Sequence, residues 1–143
     1  MTRIGIIGNE ASKFTVETRE KAKIIIKELL KEPCILVSGG CHLGGVDIWA
    51  EEEAIALHRL KTIYRPQKLT WEGGYKQRNI QIARASDIVH VIVVKSYPPD
   101  YQGMKFKFCY HCNSEDHVKS GACWTAKYAE KHFNKKTKWH IIE

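Results

Sequence analysis

The chain opens on the apolar run Ile4, Ile6 and Ile7, closed by Gly8, and then changes rhythm. From Thr15 to Glu32, Val16, Ala22, Ile25, Ile26, Leu29 and Leu30 recur at helical spacing among charged residues. The two patterns predict a buried strand, a loop and a helix packed on it. "CILVSGG" repeats the strand with its glycine stop, and "VDIWAEEEAIALH" supplies a second helix whose outer face begins at Glu51 to Glu53. "KTIYRP" reads as a third strand, stopped by Pro66. "GYKQRNIQIARAS" has helical spacing and runs directly into "DIVHVIVVK", the most strand-like segment of the chain. After a polar stretch from Ser96 to Ser120, "GACWTAKYAEKHF" reads as a last helix and "KWHII" as a last strand.

The strands are apolar on both faces, so both faces of their sheet need cover. Strands alternating with helices provide it as a parallel sheet, because right-handed crossovers place a helix between successive strands. The pattern therefore predicts an α/β, Rossmann-like three-layer sandwich with a mainly parallel sheet of about five strands. Residues 1–143 suit a single domain, since no stretch resembles a linker. In such sheets ligands bind beyond the carboxyl ends of the strands, at the switch in strand order. That directs attention to the loops Gly8 to Thr15, Ser38 to Asp47, Arg65 to Arg78 and Lys95 to Thr125.

Composition and run length add four constraints. Hydrophobic residues at 43% and charged residues at 27% exclude a disordered chain. The longest apolar run, "DIVHVIVV", is too short to span a membrane, and the amino-terminal run is too short for a signal peptide, so a cytoplasmic protein without a membrane partner is expected. Five cysteines in that compartment would stay reduced, which makes clustered ones metal ligands or reactive thiols. A net charge of +7 favours anionic partners, nucleotides or nucleic acid. Much of the excess lies late, in Lys119, Lys127, Lys131, Lys135, Lys136 and Lys138, where it reads first as a solvated helix face plus a basic turn.

"SGGCHLGGVD" joins a buried strand to a helix through Gly39, Gly40, Gly44 and Gly45, so backbone N–H groups can approach an anion at the positive end of the helix. The spacing is neither a P-loop nor G-x-G-x-x-G, and the glycines can be purely conformational. Asp47 can cap the helix or face a ribose. In "KSGACWT", Ser120 can cap the last helix while Gly121 and Thr125 face a second anion site. "LTWEGGYKQRN" suits a lid that stacks on a base or grips a phosphate with Arg78, although Trp71 reads first as plain core covering the sheet edge. His90 lies within a strand and reads as a core histidine.

"GIIGNE", "LVSGGCHLGGVDIWAEEEA", the tryptophan at 71 followed by "GYKQRNIQIARASDIVHVIV", and "SGACWTAKYAEK" together resemble the SLOG superfamily, which includes LOG-type and DNA-processing Smf proteins. The pattern is most similar to the YspA-type branch and covers Arg3 to about Lys131. The resemblance implies a nucleotide or nucleotide-derived ligand held by Gly8, Ser38, Gly39, Gly40, Asp47, Arg78, Asn79, Gly121 and Thr125. The LOG enzymes cleave the N-glycosidic bond of nucleoside monophosphates with an acidic residue in a Pro-Gly-Gly-x-Gly-Thr-x-x-Glu motif. Here Tyr128 stands in place of that glutamate, which leaves such a phosphoribohydrolase reaction to Glu130 or Asp47.

Cys109, Cys112, His117 and Cys123 have the spacing C-x2-C-x4-H-x5-C, one residue from that of a zinc knuckle. They predict a structural zinc in an insertion over 95–120, with His111 as the alternative imidazole. Cys123, in the first turn of a helix, is also a candidate nucleophile. The expectation is thus a nucleotide-binding protein with a zinc cofactor, expected to form a homo-oligomer. Its alternatives are a nucleotide N-glycosidase and a single-strand nucleic-acid binder that stacks bases on Tyr101, Tyr110 and Trp124.

Overall fold

A computed structural model describes residues 1–143. Five strands form one all-parallel sheet: β1 (Arg3–Gly8), β2 (Ile35–Ser38), β3 (Leu60–Ile63), β4 (Ile88–Val94) and β5 (Lys136–Ile142). The order across the sheet is β3-β2-β1-β4-β5. The crossovers are helices α1 (Val16–Leu29), α2 (Val46–Ala56), α3 (Lys76–Ala85) and α4 (Gly121–Phe133). This is a Rossmann-like arrangement, and its sheet is more regular than the mainly parallel one expected.

Neighbouring residues of each strand serve opposite layers. Ile6, Leu36 and Ile92 pack with Ala22, Ile26 and Leu30 of the α1 segment and Val46, Ala50 and Ala54 of α2. Ile7, Val37, Val91 and Val93 pack with Ile82 and Ala83 of α3 and Cys123, Ala126 and Ala129 of α4. The unbroken apolar runs follow from this double burial. The order reverses between β1 and β4, so a crevice opens where their carboxyl ends diverge.

Four local features depart from the sequence pattern. β5 begins at Lys136, two residues before "KWHII", because pairing with β4 starts at Ile88 and its lysines lie on the sheet's edge. β3 stops at Ile63, although Tyr64 still donates its N–H to the Ser38 carbonyl at 2.9 Å. Ala11–Lys13 form a single helical turn inside the first loop. Trp71–Tyr75 form a wide turn before α3, closed by the Tyr75 N–H on the Thr70 carbonyl at 2.9 Å, with Gly73 at φ +78°. No helix is long and apolar enough to cross a membrane.

Candidate metal centre and adjoining cavity

Between β4 and α4 the chain folds into a small knuckle. The Cys109 N–H donates to the Ser114 carbonyl at 2.8 Å, and the Ser114 N–H returns to the Cys109 carbonyl at 3.3 Å. Asn113, at φ +53°, supplies the left-handed residue that reverses the chain after Cys112. The Cys123 N–H donates to Ser120 O at 3.0 Å, placing the last thiol in the first turn of α4. One ligand atom from each of Cys109, Cys112, His117 and Cys123 then lies within 4.8 Å of all the others.

Tetrahedral zinc with bonds of about 2.3 Å to sulfur and 2.0 Å to nitrogen separates its ligands by roughly 3.5–3.8 Å. The His117 Nε2 to Cys123 Sγ distance is 3.5 Å. His117 Nδ1 lies 2.5 Å from Asp116 Oδ1. A carboxylate can only accept, so Nδ1 carries the proton and Nε2 is left to face the sulfurs. Burial pushes the Cys109 thiol up, but the amides of Cys112, Ser120 and His111 and the His117 ring favour its thiolate and hold it below its usual value. Burial raises Cys112, as does the charge of Cys109. Cys123 is fully buried and is driven strongly upward by burial and by both other sulfurs, against a 3.4 Å hydrogen bond from Trp139 Nε1. These residues can hold a metal such as zinc, and a cation among three sulfurs would relieve their mutual repulsion. A buried, protonated Cys123 is poorly suited to be a nucleophile.

His111 is not in the cluster. Its ring lies 4.4 Å from that of Tyr110, and both line a cavity of about 440 Å³ at the β1/β4 crevice. From β1 and its loop come Gly8 and Asn9, from the β2 to α2 connection Cys41 and His42, and from α3 Arg78 and Asn79. Gly121 and Thr125 of α4 and the rings of Trp71, Tyr75 and Trp124 complete much of the wall. Trp71 is 43% exposed and meets Trp124 edge to face at 4.8 Å, so it stands at the cavity mouth instead of covering the sheet edge.

Six of the nine residues expected at a ligand, Gly8, Asp47, Arg78, Asn79, Gly121 and Thr125, line this cavity. Ser38 does not: it is buried, and its hydroxyl donates to the Ile6 carbonyl at 2.7 Å. Gly39 lies behind the wall, where its carbonyl accepts from Arg78 Nη1 at 2.5 Å. Gly40, at φ +56°, belongs to a neighbouring cavity of about 580 Å³ that shares Cys41, His42, Tyr75 and Arg78.

The glycine-rich turn has an occupant of its own. Burial pushes the Asp47 carboxyl up to about 6, opposed by Arg78 and by amide N–H groups of Cys41, Gly8 and Gly39 that face it. Those amides, available in principle to a phosphate, are turned toward a carboxylate of the chain itself. The amino end of α4 presents a different picture. Ser120 Oγ accepts from the Ala122 N–H at 3.2 Å, and a Cβ added at Gly121 would meet nothing within 4 Å.

Arg78 is only 8% exposed. Its Nε donates to Asn79 Oδ1 at 2.9 Å and its guanidinium lies 5.6 Å from the Tyr75 ring centroid. Asn9 was not anticipated from the sequence. Its Oδ1 accepts from the Val94 N–H at 2.9 Å, its Nδ2 donates to the Lys119 carbonyl at 3.4 Å, and its own carbonyl accepts from the Val46 N–H at 3.2 Å. One residue thereby ties β1, β4, α2 and the approach to α4. Its only signal was a short polar residue directly after a strand-ending glycine. Tyr128 stacks between Trp124 and His132, and the Thr137 hydroxyl bonds Glu130; neither lines the cavity.

Comparison with models of known protein families, with curated proteins and with solved structures finds no match.

Proposed function

We infer that the protein binds a nucleotide or nucleotide-derived small molecule in the cavity at the β1/β4 crevice, with a structural zinc holding one wall in place. The observation that carries this reading is the joining of opposite chemistries in a single space. The open backbone at Gly121, on the positive end of α4, lines the same cavity as Arg78 and the rings of Trp71, Tyr75, Tyr110 and Trp124. A phosphate suits the first two and a base suits the rings. Asp47 and Asn79, in the same wall, offer polar partners for a sugar. The volume of about 440 Å³ falls within the range of small-molecule sites. The resemblance to SLOG proteins supports the same ligand class.

Calorimetric titration with mononucleotides, cyclic nucleotides and nucleoside diphosphate derivatives tests the reading. At least one should bind the wild type and bind Arg78→Ala at least about tenfold more weakly, the loss expected for a charged hydrogen bond. Absence of heat across the set would contradict it.

One observation favours a second, hydrolytic reading. Asp47 puts a carboxyl in the cavity wall, with its ionisation pushed up to about 6, whereas Tyr128 and Glu130 lie outside. Such a group can take a proton from water as an N-glycosidic bond breaks. Release of free base and ribose phosphate, abolished in Asp47→Asn, is the corresponding assay.

A further inference from the structure

The segment leading into the first cysteine has a pattern that neither the cavity nor the metal cluster requires. Met104, Lys105, Phe106, Lys107, Phe108 and, after Cys109, Tyr110 alternate apolar and cationic side chains, and no acidic residue occurs between Gln102 and Ser114. Met104, Phe106, Phe108 and Tyr110 are 74, 37, 40 and 51% exposed. Single exposed apolar residues are ordinary; four within one short segment make a patch that calls for a partner.

The segment is anchored at both ends. Tyr97 stacks on Tyr101 at 4.8 Å, and its hydroxyl accepts from the Phe106 N–H at 2.9 Å. Cys109 is held by the knuckle. The Lys119 ammonium lies over the Phe106 ring, 5.1 Å from its centroid, and over that of Tyr110 at 5.3 Å, so one face of each ring carries a cation and the other is the one left for a base. Tyr110 and Lys119 also line the cavity, which gives patch and cavity a common rim.

We propose that this face binds single-stranded nucleic acid, with bases stacked on Phe106, Phe108 and Tyr110 and phosphates against Lys105, Lys107 and Lys119, along a track that ends at the cavity mouth. A chain of phosphates with a π face in every unit matches both components of the alternation. A duplex would satisfy the lysines and keep its base faces from the rings. A second copy of this chain, paired about a two-fold axis, would set the same lysines against one another. An anionic lipid surface matches the lysines and Met104 but gives no account of the rim shared with the cavity.

The test is fluorescence anisotropy on the full, zinc-loaded chain with labelled single strands about ten nucleotides long. The same sequence as a duplex and phosphatidylserine vesicles serve as the other arms. The wild type should prefer the single strand, with log K falling against log salt at a slope of about −2 for three phosphate contacts. Phe106→Ala with Phe108→Ala should lose about tenfold or more in affinity. Lys105→Gln with Lys107→Gln should flatten the salt slope by about 1 to 1.5. Both pairs lie outside the cavity wall, so mononucleotide titrations of the variants should match the wild type and report intact folding. Unchanged affinity in the phenylalanine pair, equal binding of duplex, or capture by vesicles alone would overturn the proposal. Phenylalanine-dependent binding of single strands without any mononucleotide binding would sustain it and remove the cavity reading instead.

Discussion

The backbone N–H of Cys123 donates to the carbonyl of Ser120, so the last thiol of the metal cluster and the cap of α4 share a single helical turn. Anything that moves the sulfur moves the amino end of the helix that forms a cavity wall. Protein purified from cells supplied with zinc should therefore contain about one metal per chain by elemental analysis. With free zinc about a thousandfold above its dissociation constant, binding contributes about 4 kcal/mol. Chelation should lower the melting temperature by on the order of 10 °C.

The Asp116 side chain is 60% exposed and contributes little to packing, yet it fixes the orientation of the buried His117 ring. Asp116→Asn should weaken zinc affinity by about 10- to 100-fold in competition with a chromophoric chelator, with little change in the circular dichroism spectrum. His111→Ala should leave metal affinity unchanged, because that ring faces the cavity.

Two glycines at the site should respond in opposite ways. A Cβ at Gly8 would lie 2.0 Å from the Ile92 carbonyl oxygen, a backbone atom of the central sheet. Gly8→Ala should cost about 2–3 kcal/mol in denaturant unfolding. Gly121 has open space and helical geometry, so Gly121→Ala should leave stability level or raise it by up to about 1 kcal/mol. If a ligand approaches that backbone closely, the same methyl should weaken nucleotide binding in calorimetry.

The sheet has a titrating pair of its own. His90 Nδ1 and His140 Nε2 are 2.9 Å apart, and burial, together with His140 and Lys138, lowers the His90 ionisation to about 4. A base with a depressed folded-state value contributes stability present above about 6.5 and lost as pH falls through about 4. Asp47, raised to about 6, acts with the opposite sign: its contribution is present below about 4 and lost as pH rises through about 6. The difference between wild type and His90→Gln isolates the first effect. The wild-type advantage should shrink by on the order of 2 kcal/mol between pH 6.5 and 4 in urea unfolding.

The central strands and the helices were legible because burial on both faces leaves apolar runs such as "DIVHVIVV", and because α4 begins at a serine that caps it. The metal cluster was legible because knuckle ligands lie close in sequence, so spacing stands for geometry. The imidazole choice required the fold: His117 is aimed by Asp116, while His111 is turned to the cavity. The glycine-rich turn reads in sequence as an anion cradle. Only the three-dimensional arrangement brings the Asp47 carboxylate against the amides of Gly8, Gly39 and Cys41, the first of them from another strand of the chain. Asn9 escaped for the same reason, since its partners Val94 and Lys119 are remote in sequence.

If metal and ligand sites form one device, the same nucleotide titrated into zinc-loaded and zinc-stripped protein should distinguish the two forms, with circular dichroism confirming that the sheet persists in both. Binding should be at least about tenfold weaker after stripping, because α4 loses the anchor of its first turn. Equal affinity in the two forms would contradict a single device.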